Sequence, residues 1–403
     1  MLNNVNDEFN HNVGNINIAF VANVIGHGKV YDQWGTSFAL LLSQVPYLEQ
    51  IDIICPFGNE NHGEIKMPQK INLVPCYNPE RTLSMRGIIK AIRGKKFDYV
   101  IFNFGPTVFG RRNLSNLTGF FLPYISSKIL KRKTVLISQG SVFTNDSEHL
   151  GYNSALDKIK KRIVRMLESW LYKRVCVYAQ LEYYLDLLKK IKNALVCGVV
   201  KSDYIDGVAT LYLNNLMQLP IFKKRIVNKV PIILLHGYWG PQKNLGLALS
   251  SLRSLQNVGY HFSLTISGGI NTHFPGYYEE YKKLLAKYSD VISERKGYVQ
   301  ESDLFDLFIS SDLILMPYNV PGGQSGILEM AKLFKRRVIC IDFPEFREEA
   351  HGNNSIILCS KEKFEEEIEN FLKGFLPQEE DIDMSIMVET AIKNAAEFIA
   401  SLK

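Results

Sequence analysis

The residues best placed to do chemistry lie in Leu313–Asp342, LILMPYNVPGGQSGILEMAKLFKRRVICID. Apolar Leu313–Met316 reads as a strand that ends at Pro317 and Tyr318, and Val338–Asp342 reads as a second strand. Between them Gly322, Gly323, Gln324, Ser325 and Gly326 form a polar, glycine-rich bend that opens a helical pattern. A helix entered in this way offers N–H groups with no partner one turn back and a partial positive charge, a setting that holds phosphate. Glu329 falls one turn into the helix. Its carboxylate can accept hydrogen bonds from sugar or ribose hydroxyls, or simply stabilise the helix dipole. Strand, bend, helix, strand is a βαβ unit whose helix N-terminus faces the carboxyl end of a parallel sheet. The combination points to a nucleotide-sugar site.

Such a unit needs a scaffold. A chain of 403 residues is too long for one core, and domains run to roughly 150–200 residues. In the first half, Asn17–Ile25 reads as a buried strand, followed by Gly26-His27-Gly28-Lys29 and a helix over Gly35–Ser43. Further strands fall at Ile51–Cys55, Tyr99–Asn103, Thr134–Ser138, Val175–Ala179 and Ala194–Val200, with helices such as Ile159–Leu171 between them. The alternation restarts near Pro231. Strand Ile232–Leu235 leads through the loop Gly237–Gln242 to a helix over Asn244–Leu255. Strand Ser263–Ser267 ends in Gly268-Gly269, a short strand at Val291 and Ile292 precedes Gly297, and a helix covers Ser302–Ser310. Strands alternating with helices imply an α/β fold with two doubly wound sheets. The first domain spans 1–200, a connection without clean period spans 201–228, and the second domain spans 229–375. From Glu379 the chain reads as a helix with Met387, Ala391, Ala395, Phe398 and Leu402 on one face, so that 379–403 rejoins the first domain.

The bulk properties exclude several classes. The net charge of +6 comes with no basic segment interleaved with aromatics, so no nucleic-acid partner is expected. Cys55, Cys76, Cys176, Cys197, Cys340 and Cys359 are singletons without metal-ligand spacing and read as reduced core residues of a cytosolic protein. Met1–Asn15 is polar and resembles no secretory leader, and no apolar run approaches the ~20 residues that span a bilayer. A cytoplasmic location follows, with peripheral attachment at the inner face of a membrane as an option. The basic runs Lys90–Lys96, Lys128–Lys133 and Lys158–Arg165 would attract anionic lipid or a phosphorylated acceptor, and they read equally well as solvated helix faces.

Four stretches, in order, are similar to glycosyltransferase family 4, whose members have the GT-B fold. Leu234-Leu-His-Gly237-Tyr-Trp-Gly-Pro-Gln-Lys243-Asn-Leu resembles the family's phosphate loop, and Leu264-Thr-Ile-Ser-Gly268-Gly269 its strand-then-glycine element. Lys296-Gly297-Tyr298-Val299 resembles the turn that reads the base, and Gly322–Ala331 the phosphate and ribose element. The resemblance implies two Rossmann-like domains facing across a cleft, the second holding the donor and the first shaping the acceptor site. It implies transfer of a sugar, hexosyl in type, from a nucleoside diphosphate sugar, UDP being favoured over GDP, with retention of configuration and with no metal or cofactor. Lys243 would bind the diphosphate and steady the leaving group. Gly237, Tyr238, Gln324, Ser325 and Gly326 would line the phosphates, Glu329 the ribose, and Gly297 and Tyr298 the base. Gly26 and Gly28 would approach the diphosphate on closure.

Three positions depart from the family pattern. Pro321 stands where a glutamate contacts the donor sugar, Tyr238 where an arginine is common, and Gln139 where a histidine is common. Gln139 cannot act as a general base but can hydrogen-bond a sugar hydroxyl. On the acceptor side Asp32, Asp146 and His149 lie in loops at strand ends, where any of them could activate a hydroxyl or serve as an ordinary loop residue. The acceptor would be a glycan, a lipid-linked sugar or a protein. Two other readings stay open: a non-catalytic accessory subunit that binds an acceptor protein, and a nucleotide-sugar epimerase, whose chemistry needs carboxylates that the surroundings of Pro321 do not supply.

Overall fold

Two parallel sheets organise the chain in a computed structural model, which describes residues 15–23, 33–58, 66–105, 109, 113–139, 141, 143, 155–225, 228–271, 274, 276–321, 323–377 and 381–402. One compact unit holds the described residues up to Ala209 and those from Glu389 on; the other holds Thr210–Val388.

In the first unit the strands are β1 (Ile16–Val21), β2 (Leu48–Pro56), β3 (Ile71–Tyr77), β4 (Tyr99–Phe104), β5 (Thr134–Ser138), β6 (Cys176–Ala179) and β7 (Val196–Val199). They pair in parallel in the order β3-β2-β1-β4-β5-β6-β7. A parallel sheet is covered on both faces, which is why β4 (YVIFNF) is an unbroken buried run with no polar alternation. Phe20 of β1 lies in register with Ile53 of β2 and Ile101 of β4, all three fully buried. The helices are α1 (Gln33–Ser43), α2 (Arg86–Gly94), α3 (Asn113–Gly119), α4 (Phe121–Tyr124), α5 (Ala155–Tyr172) and α6 (Glu182–Lys189).

The remaining helices begin with α7 (Val208–Leu213) and continue through α8 (Leu245–Asn257), α9 (Tyr277–Lys287), α10 (Glu301–Ser310), α11 (Gly326–Leu333), α12 (Pro344–Glu349), α13 (Phe364–Lys373) and α14 (Ser385–Ser401). The second sheet comprises β9 (Ile232–His236), β10 (Ser263–Ser267), β11 (Glu294–Arg295), β12 (Leu313–Met316), β13 (Arg337–Ile341) and β14 (Ile356–Cys359), in the order β11-β10-β9-β12-β13-β14. Beside it β8 (Phe222–Lys224) pairs antiparallel with β15 (Asp381–Asp383). Both sheets therefore place their first strand centrally and reverse direction next to it, the doubly wound pattern that the alternation of strands and helices implies.

Some local expectations fail for reasons that the structure makes plain. The short strand is at Glu294–Arg295, not at Val291 and Ile292. Val291 is apolar because it is buried where α9 ends, and its N–H bonds to the Tyr288 carbonyl. The tail does not run as helix from Glu379. Strand β15 comes first, and α14 starts at Ser385, whose N–H is capped by the Asp383 carboxylate at 2.9 Å. The cysteines are not all reduced: Cys176 and Cys197 form a disulfide. They lie on β6 and β7, adjacent strands that bring together residues 21 positions apart in sequence.

Within the first unit, Phe398 of α14 packs against Phe38 of α1 and Tyr178 of β6, with ring centroids 5.7 and 5.1 Å away. The Tyr47 hydroxyl donates to the Ala396 carbonyl at 2.7 Å.

Candidate functional site

In the second unit the strand order reverses between β9 and β12. Side chains and loops at the carboxyl ends of strands flanking such a point line a crevice. Here the loops are knit by main-chain bonds. The Gly237 N–H donates to Ser267 O at 3.2 Å, Gly268 N–H to Gly297 O at 2.8 Å, Trp239 N–H to Gly269 O at 2.7 Å, and Asn319 N–H to Gln242 O at 2.8 Å. The first three stretches that resemble family 4 thus meet at one end of one sheet, and Asn319, after β12, ties in to the first of them. Gly268 makes the crossing possible. Its φ is +102°, and a Cβ there would overlap the Gly237 carbonyl. Gly237 itself has φ +144°.

Lys243 ends a short 3-10 turn, Pro241–Lys243, and Asn244 then adopts a left-handed conformation (φ +46°) to start α8. That geometry brings the ammonium back over the loop. Its Nζ lies 3.6 Å from the centroid of the Tyr318 ring. A Cβ built on Gly237 would be 3.8 Å from Lys243 Cε and 3.3 Å from Cδ1 of Ile327, in the first turn of α11. Gly237 therefore marks the meeting point of a lysine and a helix N-terminus. Among the described residues no carboxylate pairs with Lys243. Burial lowers its pKa to about 7, because an enclosed ammonium loses hydration without compensation. His236 is held down to about 4, first by burial and then by the neighbouring Lys243 charge. It is neutral at physiological pH, with Nδ1 2.8 Å from the Ser267 hydroxyl. The Tyr318 hydroxyl is buried and has no hydrogen-bond partner among the described residues. Burial, then Cys340 and Glu349, push its pKa up, so it remains a neutral donor.

The bend before α11 behaves as a helix entry. Gly323 has φ +108°, and Ser325 is the N-cap, its Oγ accepting from Leu328 N–H at 3.3 Å. The Ser325 N–H is already engaged: it donates to both oxygens of Glu349, at 3.2 Å each. The N–H groups of Gly326 and Ile327 open the helix proper, where no carbonyl one turn earlier can accept them. Glu329 is buried and pairs with Lys332 at 2.8 Å, both side chains under 5% exposed.

Tyr238 and Tyr298 are half exposed, the latter beside Gly297, whose carbonyl braces Gly268. In the first unit Gln139 follows β5. Its N–H donates to Phe104 O at 2.7 Å, and its Nε2 is buried without a partner among the described residues. Behind it Ser141 Oγ donates to the fully buried Glu168 at 2.6 Å. Gly26, Gly28, Asp32, Asp146, His149 and Gly322 lie outside the described residues. Among the described residues no cluster of three His, Cys, Asp or Glu side chains could hold a metal, and no helix is long and apolar enough to cross a membrane.

Sequence reasoning assigned no chemistry to Tyr318, His236 or Glu349. His236 is the last residue of β9 and Tyr318 lies two residues past β12, and a place at a strand end is the signal that could flag them. Nothing local marks Glu349, 24 positions from Ser325.

No known protein family and no curated protein matches the sequence. Solved structures do match. Sucrose-phosphate synthase from Thermosynechococcus elongatus superposes with a TM-score of 0.60 at 14% identity, over 96% of this chain and 94% of that one. Anabaena HepE, in complex with UDP and glucose, gives 0.58 at 11% identity over 96% and 95%. UDP-GlcNAc 2-epimerase from Neisseria meningitidis, bound to UDP-GlcNAc, gives 0.54 at 14% identity over 96% and 98%. Over nearly its whole length, then, this chain has the GT-B fold of these solved structures.

Proposed function

We propose that the chain is a family 4-type glycosyltransferase that moves a sugar from a UDP-sugar to a glycan, lipid-linked or protein acceptor, retaining configuration and using no metal. One observation carries the reading: the Lys243 ammonium, which pairs with no carboxylate among the described residues, and the first turn of α11 converge at Gly237. A diphosphate at that point meets a cation and helix N–H groups together. As the sugar–phosphate bond lengthens, negative charge builds on the diphosphate, and a cation held in a poorly hydrated pocket stabilises it more than water would. Lys243 is the catalytic residue in this scheme. Gly237 lets the backbone come close, Gly326 and Ile327 donate to phosphate, Tyr298 stacks beside the base, and Glu329 is the acid nearest the ribose. The Tyr318 hydroxyl, buried and neutral, supplies a donor where Pro321 has none. Gln139 orients an acceptor hydroxyl. UDP is favoured because HepE of this fold was crystallised with UDP and with UDP-glucose.

Isothermal titration with UDP and GDP tests the donor site. UDP should bind and Lys243→Ala should weaken it; a chain that binds no nucleoside diphosphate ends the proposal.

One feature favours the accessory-subunit reading: Glu349 already occupies the Ser325 N–H, so a phosphate would have to share that end of the helix with a carboxylate. Release of UDP from a panel of UDP-sugars separates the two readings, since a subunit without turnover releases none.

A further inference from the structure

The first unit carries a surface that the donor site does not use. Along α5, Leu156, Ile159, Ile163 and Met166 recur at spacings of three and four and are 48–69% exposed. Helical residues so spaced form one stripe. The stripe continues past the end of Met166. Trp170, one turn on, has its ring 5.5 Å from Phe121 and 4.8 Å from Tyr124. Phe121 in turn is one or two turns from Leu117 and Leu114, and these three are 37–61% exposed. Aromatic and aliphatic side chains thus form one belt across α3, α4 and α5. A monomeric soluble surface rarely leaves so many large apolar side chains together in water.

Cations border the belt. Lys158, Lys160, Arg162 and Arg165 project from the same turns of α5, all exposed. Arg162, Arg165, Lys173, Arg174 and Lys192 line a shallow depression of about 680 Å3 floored by Phe143, Met166 and Trp170. The Arg174 guanidinium sits 4.9 Å from the Trp170 ring and that of Arg165 4.8 Å from Phe143. Among the described side chains of α5 the one acid, Glu168, is fully buried and bonded to Ser141.

We infer that this belt lies on the surface of an anionic lipid bilayer, with Leu156, Ile159, Ile163 and Met166 entering the headgroup–acyl boundary and the flanking cations meeting lipid phosphates. The pattern is that of an interfacial helix: an apolar stripe, a basic border, and an aromatic at the edge between them. A second copy of the chain fits less well, because two such faces would oppose cation to cation with no exposed acid on the described face to pair them. The basic runs on α2 and before β5 lack an apolar stripe of this kind and would add charge alone.

Flotation of the full chain with vesicles tests the inference. The chain should rise with vesicles holding roughly one-third phosphatidylglycerol and stay behind with phosphatidylcholine alone, and salt of about 0.5 M should weaken the binding. Two variants at exposed positions separate the contributions, each checked for native circular dichroism. Ile159→Asp with Ile163→Asp should lower partitioning by on the order of tenfold or more, since two apolar groups are replaced by charge. Arg162→Glu with Lys158→Glu should lower it similarly and abolish the preference for anionic lipid. Equal binding to neutral vesicles, or no loss in either variant, overturns the inference. So does a wild-type dimer, seen by sedimentation, that Ile163→Asp dissociates while vesicles bind neither form. UDP titration of the same samples is unaffected by these outcomes, so the lipid surface and the donor site stand or fall separately.

Discussion

The two sheets are the same device used differently. Each begins centrally, winds outward in the order 3-2-1-4-5-6, and offers loops at its carboxyl edge. In the second unit those loops bond one another through the main chain, and among the described residues the Tyr318 hydroxyl has no hydrogen-bond partner and the Lys243 ammonium no carboxylate. In the first unit the side chains turn inward. Ser141 bonds Glu168, Ser138 lies 3.5 Å from the Tyr172 hydroxyl, and Gln139 Nε2 has no partner among the described residues. Its cations stand outside, on α5. A shared scaffold does not choose the ligand; the polar groups it leaves unsatisfied do.

Gly268→Ala should disturb the comparison most. A Cβ there would be strained by the positive φ and would overlap the Gly237 carbonyl, a cost of roughly 3 kcal/mol or more. In a denaturant titration read by probes in each unit, the second unit should unfold earlier and the first should keep its midpoint. Next comes Lys243→Ala. Removing a charged partner from a phosphate costs about 2–3 kcal/mol, seen as UDP affinity roughly thirty- to 150-fold weaker. Gln139→Ala should leave UDP affinity unchanged and lower turnover only, which would confirm the division of labour between the units.

The Lys243 pKa sharpens the same contrast through pH. In the folded, free second unit it is about 7, against about 10.5 for an exposed lysine. Between those values the unfolded chain holds a proton that the folded site does not, so the stability of the free protein should rise with pH across that window. A diphosphate favours the ammonium, so UDP affinity should instead fall above pH 7, by at most about tenfold per unit. Opposite slopes in thermal melts and in titrations are the expected result. The smallest effect belongs to Glu349→Gln. Taking a negative charge from the N-terminus of α11 removes a favourable dipole contact worth about 1 kcal/mol, so the melting temperature should fall by a few degrees. UDP should bind severalfold more tightly, since the carboxylate no longer competes for that end.

What could be read from the sequence was local. Apolar runs bounded by glycine and proline mark most strands of both sheets, though not β3 or β14, and the bends at Gly237, Gly268, Gly297 and Ser325 lie at their carboxyl ends. What could not be read depends on register between strands or on distant packing. Cys176 meets Cys197 only because β6 lies beside β7. Glu349 reaches Ser325 only because α12 follows β13 at the same end of the sheet as α11. Val291 was mistaken for strand because burial under a helix and burial in a sheet select the same side chains.

The composition of the first unit has a consequence for how the chain is made. Its core includes Ala391, Ala395 and Phe398, which follow Thr210–Val388 in the order of synthesis. A ribosome therefore finishes the whole second unit before it releases the segment that covers Phe38 and Tyr178. The nascent first unit must wait with part of its interior open until the segment from Glu389 on has been made.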